Sequence, residues 1–147
     1  MSPLRIEVSE APPPRFVAWL DDRLYAFNAA RTGIDDGRLL AIVVRDRGRR
    51  IVAGLYGWTW GGCCHVKTLW IDERHRRRGL GTRLMALAER EAKKRGARQM
   101  VLDTHSFQAP QFYRRLGFEV VGSYPDYPAG HSQIFLRKAL SGRRASG

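Results

Sequence analysis

The segment RHRRRGLGTRLM, residues 74–85, places a run of arginines directly before a glycine turn and an apolar, helix-like stretch. The first backbone N–H groups of a helix have no acceptor inside it and lie at the positive end of its dipole. Because Gly79 and Gly81 have no Cβ, the backbone can approach a ligand closely at this point. The pattern therefore predicts an anion site at the helix start, where N–H groups bind a pyrophosphate and the arginines neutralise its charge.

Two common nucleotide motifs do not explain this segment. A P-loop requires a glycine followed by lysine and then serine or threonine, and the chain has no such sequence. The dinucleotide fingerprint requires a third glycine at the position of Leu84. The alternative interpretation is a solvated charge run beside a tight turn, with no ligand at all.

The composition is that of a folded domain with an excess of positive charge. The chain has 147 residues, of which 44% are hydrophobic, and we expect one domain over residues 1–140 and a disordered tail over 141–147. Its 26 lysines and arginines exceed its 14 acidic residues, which gives a formal net charge of +12. Such a surface attracts phosphorylated small molecules, nucleic acids and acidic proteins alike, so the charge alone does not identify the partner.

The sequence has no apolar run of the length of a signal peptide or a membrane span, so we expect a cytoplasmic protein without membrane association. The cysteines are the neighbours Cys63 and Cys64, which are too few and too close in sequence for a disulfide framework. Together with His65 they resemble part of a zinc site, but no second Cys or His pair stands at ligand spacing. We therefore expect no metal.

Hydrophobic periodicity and turn residues predict helices and strands in the order helix, three strands, helix, strand, helix, two strands. The first three strands are expected to form an antiparallel meander. A strand followed by a helix and another strand has the crossover geometry of parallel pairing, so the sheet should be mixed and the class α/β or α+β. The predicted elements cover residues 15–32, 38–46, 50–60, 63–71, 80–95, 97–104, 109–116, 118–124 and 132–140.

Two motifs in this order resemble those of the GNAT superfamily of N-acetyltransferases. The letters RRRGLG match the pattern [QR]-x-x-G-x-[GA], and SFQAPQFYRRLGF is similar to a second signature, A-x-x-F-Y-x-x-x-G-F. The resemblance covers roughly residues 40–140. The matching positions are Arg76, Gly79 and Gly81 in the first motif and Ala109, Phe112, Tyr113, Gly117 and Phe118 in the second.

The resemblance implies a GNAT-like mixed, mostly antiparallel central sheet with flanking helices and a splayed pair of parallel strands. Acetyl-CoA would be the co-substrate, with its pantetheine arm between the strands at 63–71 and 97–104. Backbone groups of Leu69 and Ile71 would bind the arm, and the amides of residues 77–82 would bind the pyrophosphate. The implied cofactor-binding residues are Leu69, Trp70, Ile71, Arg76, Arg77, Arg78, Gly79, Leu80, Gly81, Thr82 and Phe112.

The implied reaction is direct transfer of an acetyl group to a primary amine within a ternary complex. The amine must be neutral to attack, and the departing thiolate gains from receiving a proton, so a general base and a general acid both help. By resemblance Tyr113 is the acid, because relatives place a tyrosine here beside the coenzyme sulfur. A purely structural role for Tyr113, in packing or hydrogen bonding, is the alternative.

The general base is less clear from the sequence. Many relatives have a glutamate where this chain has Thr68, which is a departure from the family pattern. We assign His105 as the catalytic base candidate because its ordinary pKa suits proton transfer near neutral pH. Asp103, Glu73 and a chain of water molecules remain alternatives. Ser106 also stands where relatives often have asparagine.

The acetyl acceptor should approach from the face opposite the coenzyme, near the first helix and the loops at residues 32–37 and 124–131. It is expected to be an amine of a small molecule or a peptide, which the sequence does not identify. Residues that would shape or charge such a pocket are Tyr124, Tyr127, His131, Asp35, Asp36 and Asp126.

Two other functions stay open at this point. A basic module that binds nucleic acid would explain the charge, but no helix-turn-helix, zinc-finger or RNA-recognition signature supports it. A GNAT fold could also bind acetyl-CoA without catalysis, as a sensor. Strands exposed at the edge of the sheet would be compatible with a homodimer.

Overall fold

The computed structural model describes residues 2–141. Except for Ser141, the tail expected to be disordered lies outside the described residues. The chain forms two compact units that meet in sequence between Asp35 and Asp36.

The first unit contains one helix, α1 (Pro14–Thr32). Pro14 stands in the first turn, where its missing N–H is not needed, and Gly33 ends the helix in the left-handed conformation. The Gly33 N–H donates to the carbonyl of Ala29 at 2.8 Å. None of the side chains of α1 is buried. The helix predicted from the spacing of its apolar residues is confirmed.

The second unit is a six-stranded sheet in the order β1-β2-β3-β4-β6-β5, with two helices. The pairs β1–β2, β2–β3, β4–β6 and β5–β6 are antiparallel, whereas β3–β4 is parallel. The mixed sheet and the meander predicted from the sequence are therefore confirmed. The elements are β1 (Arg38–Arg45), β2 (Ile51–Trp60), β3 (Cys63–Ile71), α2 (Leu80–Lys94), β4 (Gln99–His105), α3 (Pro110–Arg115), β5 (Glu119–Pro125) and β6 (Ser132–Ala139).

Helix α2 packs its apolar stripe on one face of this sheet. Leu84, Met85, Ala88 and Ala92 recur at helical spacing and are all buried. Met85, Ala88 and Ala92 belong to the same core as the inward residues of the central strands. At the end of α2 the Nε of Arg95 lies 3.0 Å from Oε1 of Glu91, an ion pair between residues four positions apart on the helix.

A β-bulge distorts the pairing of β2 with β3. Tyr56 pairs with Thr68, but Gly57 pairs with Val66, so Lys67 is an extra residue on β3. A Cβ at Gly57 would overlap the carbonyl oxygen of His65, which means that only glycine permits this close approach of the strands. Because of the bulge, the side chains of β3 beyond Lys67 change faces relative to those before it.

No helix within residues 2–141 is both long and apolar enough to cross a membrane. In the same part of the chain, no group of three or more His, Cys, Asp or Glu residues is arranged to hold a metal ion. Cys63 and Cys64 are free thiols. Burial raises the pKa of Cys64 to about 11, so this thiol stays protonated at neutral pH.

Candidate active site

The parallel strands β3 and β4 separate half-way along their length. Residues 63–66 pair with residues 99–102, and beyond Val66 and Leu102 the two strands no longer pair with each other. Along residues 67–71 and 103–105, the backbone groups that face the neighbouring strand therefore have no hydrogen-bond partner on that strand. This is the splayed pair implied by the family resemblance, and it leaves a gap whose two sides are Leu69–Ile71 and the end of β4.

The loop between β3 and α2 is held in a bent conformation by its own side chains. Oδ1 of Asp72 accepts a hydrogen bond from the Arg74 N–H at 2.9 Å and caps a short 3-10 helix over Glu73–His75. Nε of Arg76 donates to the carbonyl of Ile71 at 2.9 Å. Arg76, the first residue of the RRRGLG motif, therefore holds the loop against the end of β3.

Two left-handed residues curve the next part of the loop. Arg77 has a φ of 64° and Gly79 a φ of 75°. When left-handed residues alternate with residues of ordinary conformation, successive N–H groups point toward the same side of the chain. For an arginine this conformation is uncommon. The curvature makes a concave run of N–H donors that leads into α2.

The N–H groups of residues 77–82 make no hydrogen bond within the described residues 2–141. The Arg83 N–H is the next along the chain to find an acceptor, the carbonyl of Gly79 at 3.1 Å. The side chains of Arg77 and Arg78 are exposed and form no ion pair in this part of the chain. Donors, helix dipole and guanidinium groups thus coincide at one position, as an anion site requires.

Gly81 joins this loop to the rest of the site. A Cβ at Gly81 would lie 3.1 Å from Cζ of Phe112 and 3.2 Å from Cδ1 of Ile71. The missing side chain lets the start of α2, the end of β3 and the start of α3 pack together. Of the residues implied as cofactor-binding, the structure therefore brings Ile71, Gly81 and Phe112 into one cluster.

Tyr113 is buried beside the gap. Its ring packs edge-on against Phe112 and Phe118, with centroids 5.0 and 6.0 Å away. Its hydroxyl makes no hydrogen bond within residues 2–141. Burial, and secondarily the charge of Asp103, raises the pKa of Tyr113 above its ordinary value, so the hydroxyl is a proton donor throughout the neutral range.

The three candidates for the base lie in different places. His105 ends β4, and its Nδ1 lies 3.1 Å from the carbonyl oxygen of Tyr127. Asp103, two residues earlier, accepts a hydrogen bond from Nε2 of Gln133 at 2.7 Å. Glu73 lies in the short 3-10 helix, on the side of the arginine loop. The first two share the face of β4 that points away from α2.

The aromatic residues expected near the acceptor do not form a single group. Tyr127 and His131 surround His105 and Phe107. Tyr124 instead packs against Phe135, at 4.9 Å between ring centroids.

The carboxylates expected there are also dispersed. Oδ1 of Asp36 accepts from the Gly61 N–H at 2.9 Å, at the end of β3 remote from the gap. Oδ1 of Asp35 accepts from the Tyr25 hydroxyl at 2.9 Å within the first unit. Oδ1 of Asp126 accepts from the Gly130 N–H at 3.4 Å within the β5–β6 connection.

Comparison with known proteins decides the family. The model of the acetyltransferase (GNAT) family matches residues 4–118. The chain belongs to this GNAT family. As a GNAT protein it is an acyltransferase, which confirms the resemblance drawn from its two motifs.

The relatives of this GNAT protein cover most of its length. It is 38% identical over 136 residues to the blasticidin-S acetyltransferase of Streptomyces morookaense, covering 86% of this chain and 97% of the relative. The crystal structure of a candidate acetyltransferase from Agrobacterium tumefaciens is 33% identical, with a TM-score of 0.82 over 92% of this chain and 99% of the other. The crystal structure of a candidate streptothricin acetyltransferase from Bacillus anthracis, in complex with acetyl coenzyme A, is 19% identical with a TM-score of 0.61. It covers 70% of this chain and 63% of that one.

The sequence did not indicate that His65 of this GNAT protein lies on the same face of the sheet as Asp103. His65 pairs with Val101 across the parallel strands and so shares a face with Asp103. Its ring packs against Trp58 at 4.6 Å between centroids. Burial lowers the pKa of His65, although Asp103 partly opposes this effect, so the ring is neutral near pH 7. The alternation of side chains along each strand assigns His65 and Asp103 to a face of their own strand. The parallel register that brings these faces together cannot be derived from one sequence.

Proposed function

We propose that this GNAT enzyme transfers the acetyl group of acetyl-CoA to a primary amine of a small molecule or peptide by direct attack in a ternary complex. The run of N–H groups at residues 77–82, which have no acceptor within the described residues, is the observation that carries the proposal. A pyrophosphate supplies the acceptors and the negative charge that these donors lack. When bound, acetyl-CoA supplies an activated thioester.

The arginines and the exposed backbone groups of this site are of the kinds that bind the phosphates and the amide groups of acetyl-CoA. Arg77 and Arg78 are free to reach phosphate oxygens, and guanidinium groups bind phosphate through paired N–H donors. The exposed backbone edge of Leu69–Ile71 offers hydrogen-bonding groups to the amide groups of the pantetheine arm, as a neighbouring strand would. Gly81 keeps Ile71 and Phe112 packed beside this edge.

His105 suits the role of general base. Because Nδ1 faces the carbonyl oxygen of Tyr127, it carries the ring proton and donates to that oxygen. Nε2 is then left as an acceptor for the proton of an attacking amine. Asp103, on the same face of β4, is positioned to attract a cationic amine before it loses that proton.

The acceptor class follows from the relatives only in outline. A relative that shares 38% of its residues with this chain is named for the small molecule blasticidin S, which favours a small-molecule amine over a peptide. We further propose that residues 1–140 act as one acetyltransferase domain. The cytoplasmic location and the homodimer expected from the sequence stay predictions.

Calorimetry with acetyl-CoA tests the anion site, and Gly79→Val is the decisive variant. Gly79 has a φ of 75° and no heavy atom within 4 Å of a Cβ placed on it, so valine there perturbs only the backbone conformation. We expect acetyl-CoA to bind about 30-fold more weakly, because the N–H groups before and after this residue turn away from one another.

Gly96→Val is the matched control. Gly96 follows the other end of α2, has a φ of 86° and is equally free of neighbouring atoms. The two variants should lose similar stability, but Gly96→Val should bind acetyl-CoA like the parent. Equal affinity in both variants would contradict a pyrophosphate site at residues 77–82.

Thiol release measured with a panel of polyamines, amino acids, aminoglycosides and peptides then separates the candidate functions. Turnover with any amine supports the enzyme. Binding of acetyl-CoA without turnover supports the sensor. Salt-sensitive binding of DNA or RNA with no affinity for acetyl-CoA supports the nucleic-acid module.

Arg78→Ala tests whether the arginine run binds phosphate or is only a solvated surface. An exposed guanidinium–phosphate pair contributes about 1 kcal/mol, so we expect about fivefold weaker binding of acetyl-CoA at low salt. The difference from the parent should shrink as salt rises. Arg90→Ala, an exposed arginine farther along α2, is the control and should leave the affinity unchanged. Identical titrations for both variants would favour the solvated run.

A further inference from the structure

Four rings form one cluster beside the end of β4, and we call it the aromatic wall: His105, Phe107, Tyr127 and His131. The rings of His105 and Phe107 are stacked, with planes 5° apart and centroids at 5.3 Å. Tyr127 lies 5.5 Å from His105, and His131 meets Phe107 edge-on at 5.0 Å. These distances are typical of favourable ring pairs.

The backbone that carries the wall is fixed by polar contacts. The Ser106 N–H donates to the carbonyl of Ser132 at 2.9 Å, and the Ser132 N–H donates to Oγ of Ser106 at 3.0 Å. Oε1 of Gln108 accepts from the His105 N–H at 2.7 Å. The turn after β4 and the start of β6 are therefore joined, and the rings are positioned before any ligand arrives.

The wall remains largely open to solvent despite this support. Phe107 is 56% exposed and Tyr127 is 55% exposed. Rings that serve only the core would be covered, as Phe118 is at 5%. An apolar surface that is both fixed and exposed is typical of a binding surface.

The position of the wall relates it to the reaction. His105 is both the proposed base and one of the four rings, and its face of β4 also carries Asp103. The rings of Phe107 and Tyr127 both lie beside His105, so a molecule that presents its amine to His105 can contact either of them. None of the four side chains of the wall is a carboxylate, a lysine or an arginine, so a ligand recognised there is selected by its π surface more than by its charge.

We propose that the acetyl acceptor is an amine that carries a flat aromatic or heteroaromatic ring, which stacks on the aromatic wall while the amine reaches His105. This proposal rests on the proposed acetyltransferase function and names its substrate class. Flat rings gain stacking energy beyond the burial of their area, whereas saturated rings gain only from burial.

A pair of probe amines separates stacking from burial. 2-Phenylethylamine and 2-cyclohexylethylamine have the same chain, and the saturated ring has at least as much apolar surface. We expect kcat/KM to favour the phenyl compound about fivefold, and the affinity measured by ligand-observed NMR in the presence of coenzyme A to follow the same order.

Substitutions at Phe107 locate the effect. Phe107→Leu should abolish the preference by lowering kcat/KM more for the phenyl compound than for the cyclohexyl compound, whereas Phe107→Tyr should keep the preference because it retains the ring. Tyr124→Leu, in β5 and packed against Phe135 outside the wall, should behave as the parent.

Each result decides the substrate class independently of the proposed function. Equal use of both amines, an equal effect of Phe107→Leu on both, or failure of both to bind would overturn the aromatic acceptor. None of these would affect binding of acetyl-CoA or turnover of other amines, on which the acetyltransferase function depends. Absence of acetyl-CoA binding would overturn the acetyltransferase, and NMR binding of the ring amine would still report on the wall.

Discussion

Tyr113→Phe is expected to lower kcat about 100-fold while acetyl-CoA binds as in the parent. The ring lies between Phe112 and Phe118, and phenylalanine preserves both contacts. The lost hydroxyl has no hydrogen bond within residues 2–141 that would stabilise the fold. The expected loss is therefore the proton delivered to the departing thiolate. Steady-state kinetics at saturating acetyl-CoA, together with calorimetry, measure the two quantities separately.

The pH dependence of the parent gives a second readout of the same hydroxyl. Burial and Asp103 raise the pKa of Tyr113 above the ordinary value of about 10, so its proton is retained up to at least that pH. We expect that titration of Tyr113 does not lower the kcat of the parent between about pH 8 and 10. Any fall in kcat over this range should therefore also occur in Tyr113→Phe. A fall that disappears in the variant would mean that the hydroxyl titrates in this range.

Tyr124→Phe is the matched control for this substitution. Tyr124 lies on an exposed edge strand, and its ring contacts Phe135. The same loss of a hydroxyl there should leave kcat and affinity unchanged. If Tyr113→Phe were as active as Tyr124→Phe, the acid would be another group, and membership of the GNAT family would be unaffected.

The sequence predicted those features that depend on local patterns. The arginine run followed by glycines at 79 and 81 indicated the turn that leads into α2, and hydrophobic periodicity indicated the helix itself. Each of these needs only residues within one or two turns of chain, which is why one sequence suffices.

Features that depend on register between distant segments were not predicted. The bulge at Lys67 arises from the fit of β3 to β2, and His65 meets Asp103 only through the parallel register of β3 and β4. The sequence indicated Arg76 as a cofactor ligand, and its Nε donates to the Ile71 carbonyl, a contact set by how the loop folds back. Likewise the aromatic wall joins a turn after β4 to the β5–β6 connection, segments that share no sequence pattern.

Gly57→Ala is expected to lower the free energy of unfolding by about 3 kcal/mol, as overpacking of a well-packed site does. A Cβ there would overlap the carbonyl oxygen of His65 and come within 3.1 Å of Cα of Val66. Both atoms belong to the backbone of β3, so no side-chain rotation relieves the contact and the two strands must separate. Urea unfolding at neutral pH measures the loss.

Two other strand glycines give a graded control. A Cβ at Gly54 would lie 3.3 Å from the carbonyl oxygen of Ile42, a contact that a small shift relieves, whereas a Cβ at Gly122 would have no atom within 4 Å. The loss of stability should therefore decrease from Gly57→Ala to Gly54→Ala to Gly122→Ala, and the last should lie within about 0.5 kcal/mol of the parent. Equal stability of all three variants would contradict the close approach of β2 and β3.

Gly57→Ala should also affect the proposed acetyl-CoA site, because the bulge determines to which face of the sheet the side chains of β3 point beyond Lys67. With Lys67 as an extra residue, Ile71 turns toward Phe112 and Gly81; a regular strand would turn it to the other face. Strands pushed apart at Gly57 lose the constraint that holds this register. We therefore expect Gly57→Ala to weaken acetyl-CoA binding even below the temperature at which it unfolds, whereas Gly54→Ala should weaken it less. Full affinity in a destabilised Gly57→Ala would mean that the arginine loop holds the site without help from the bulge.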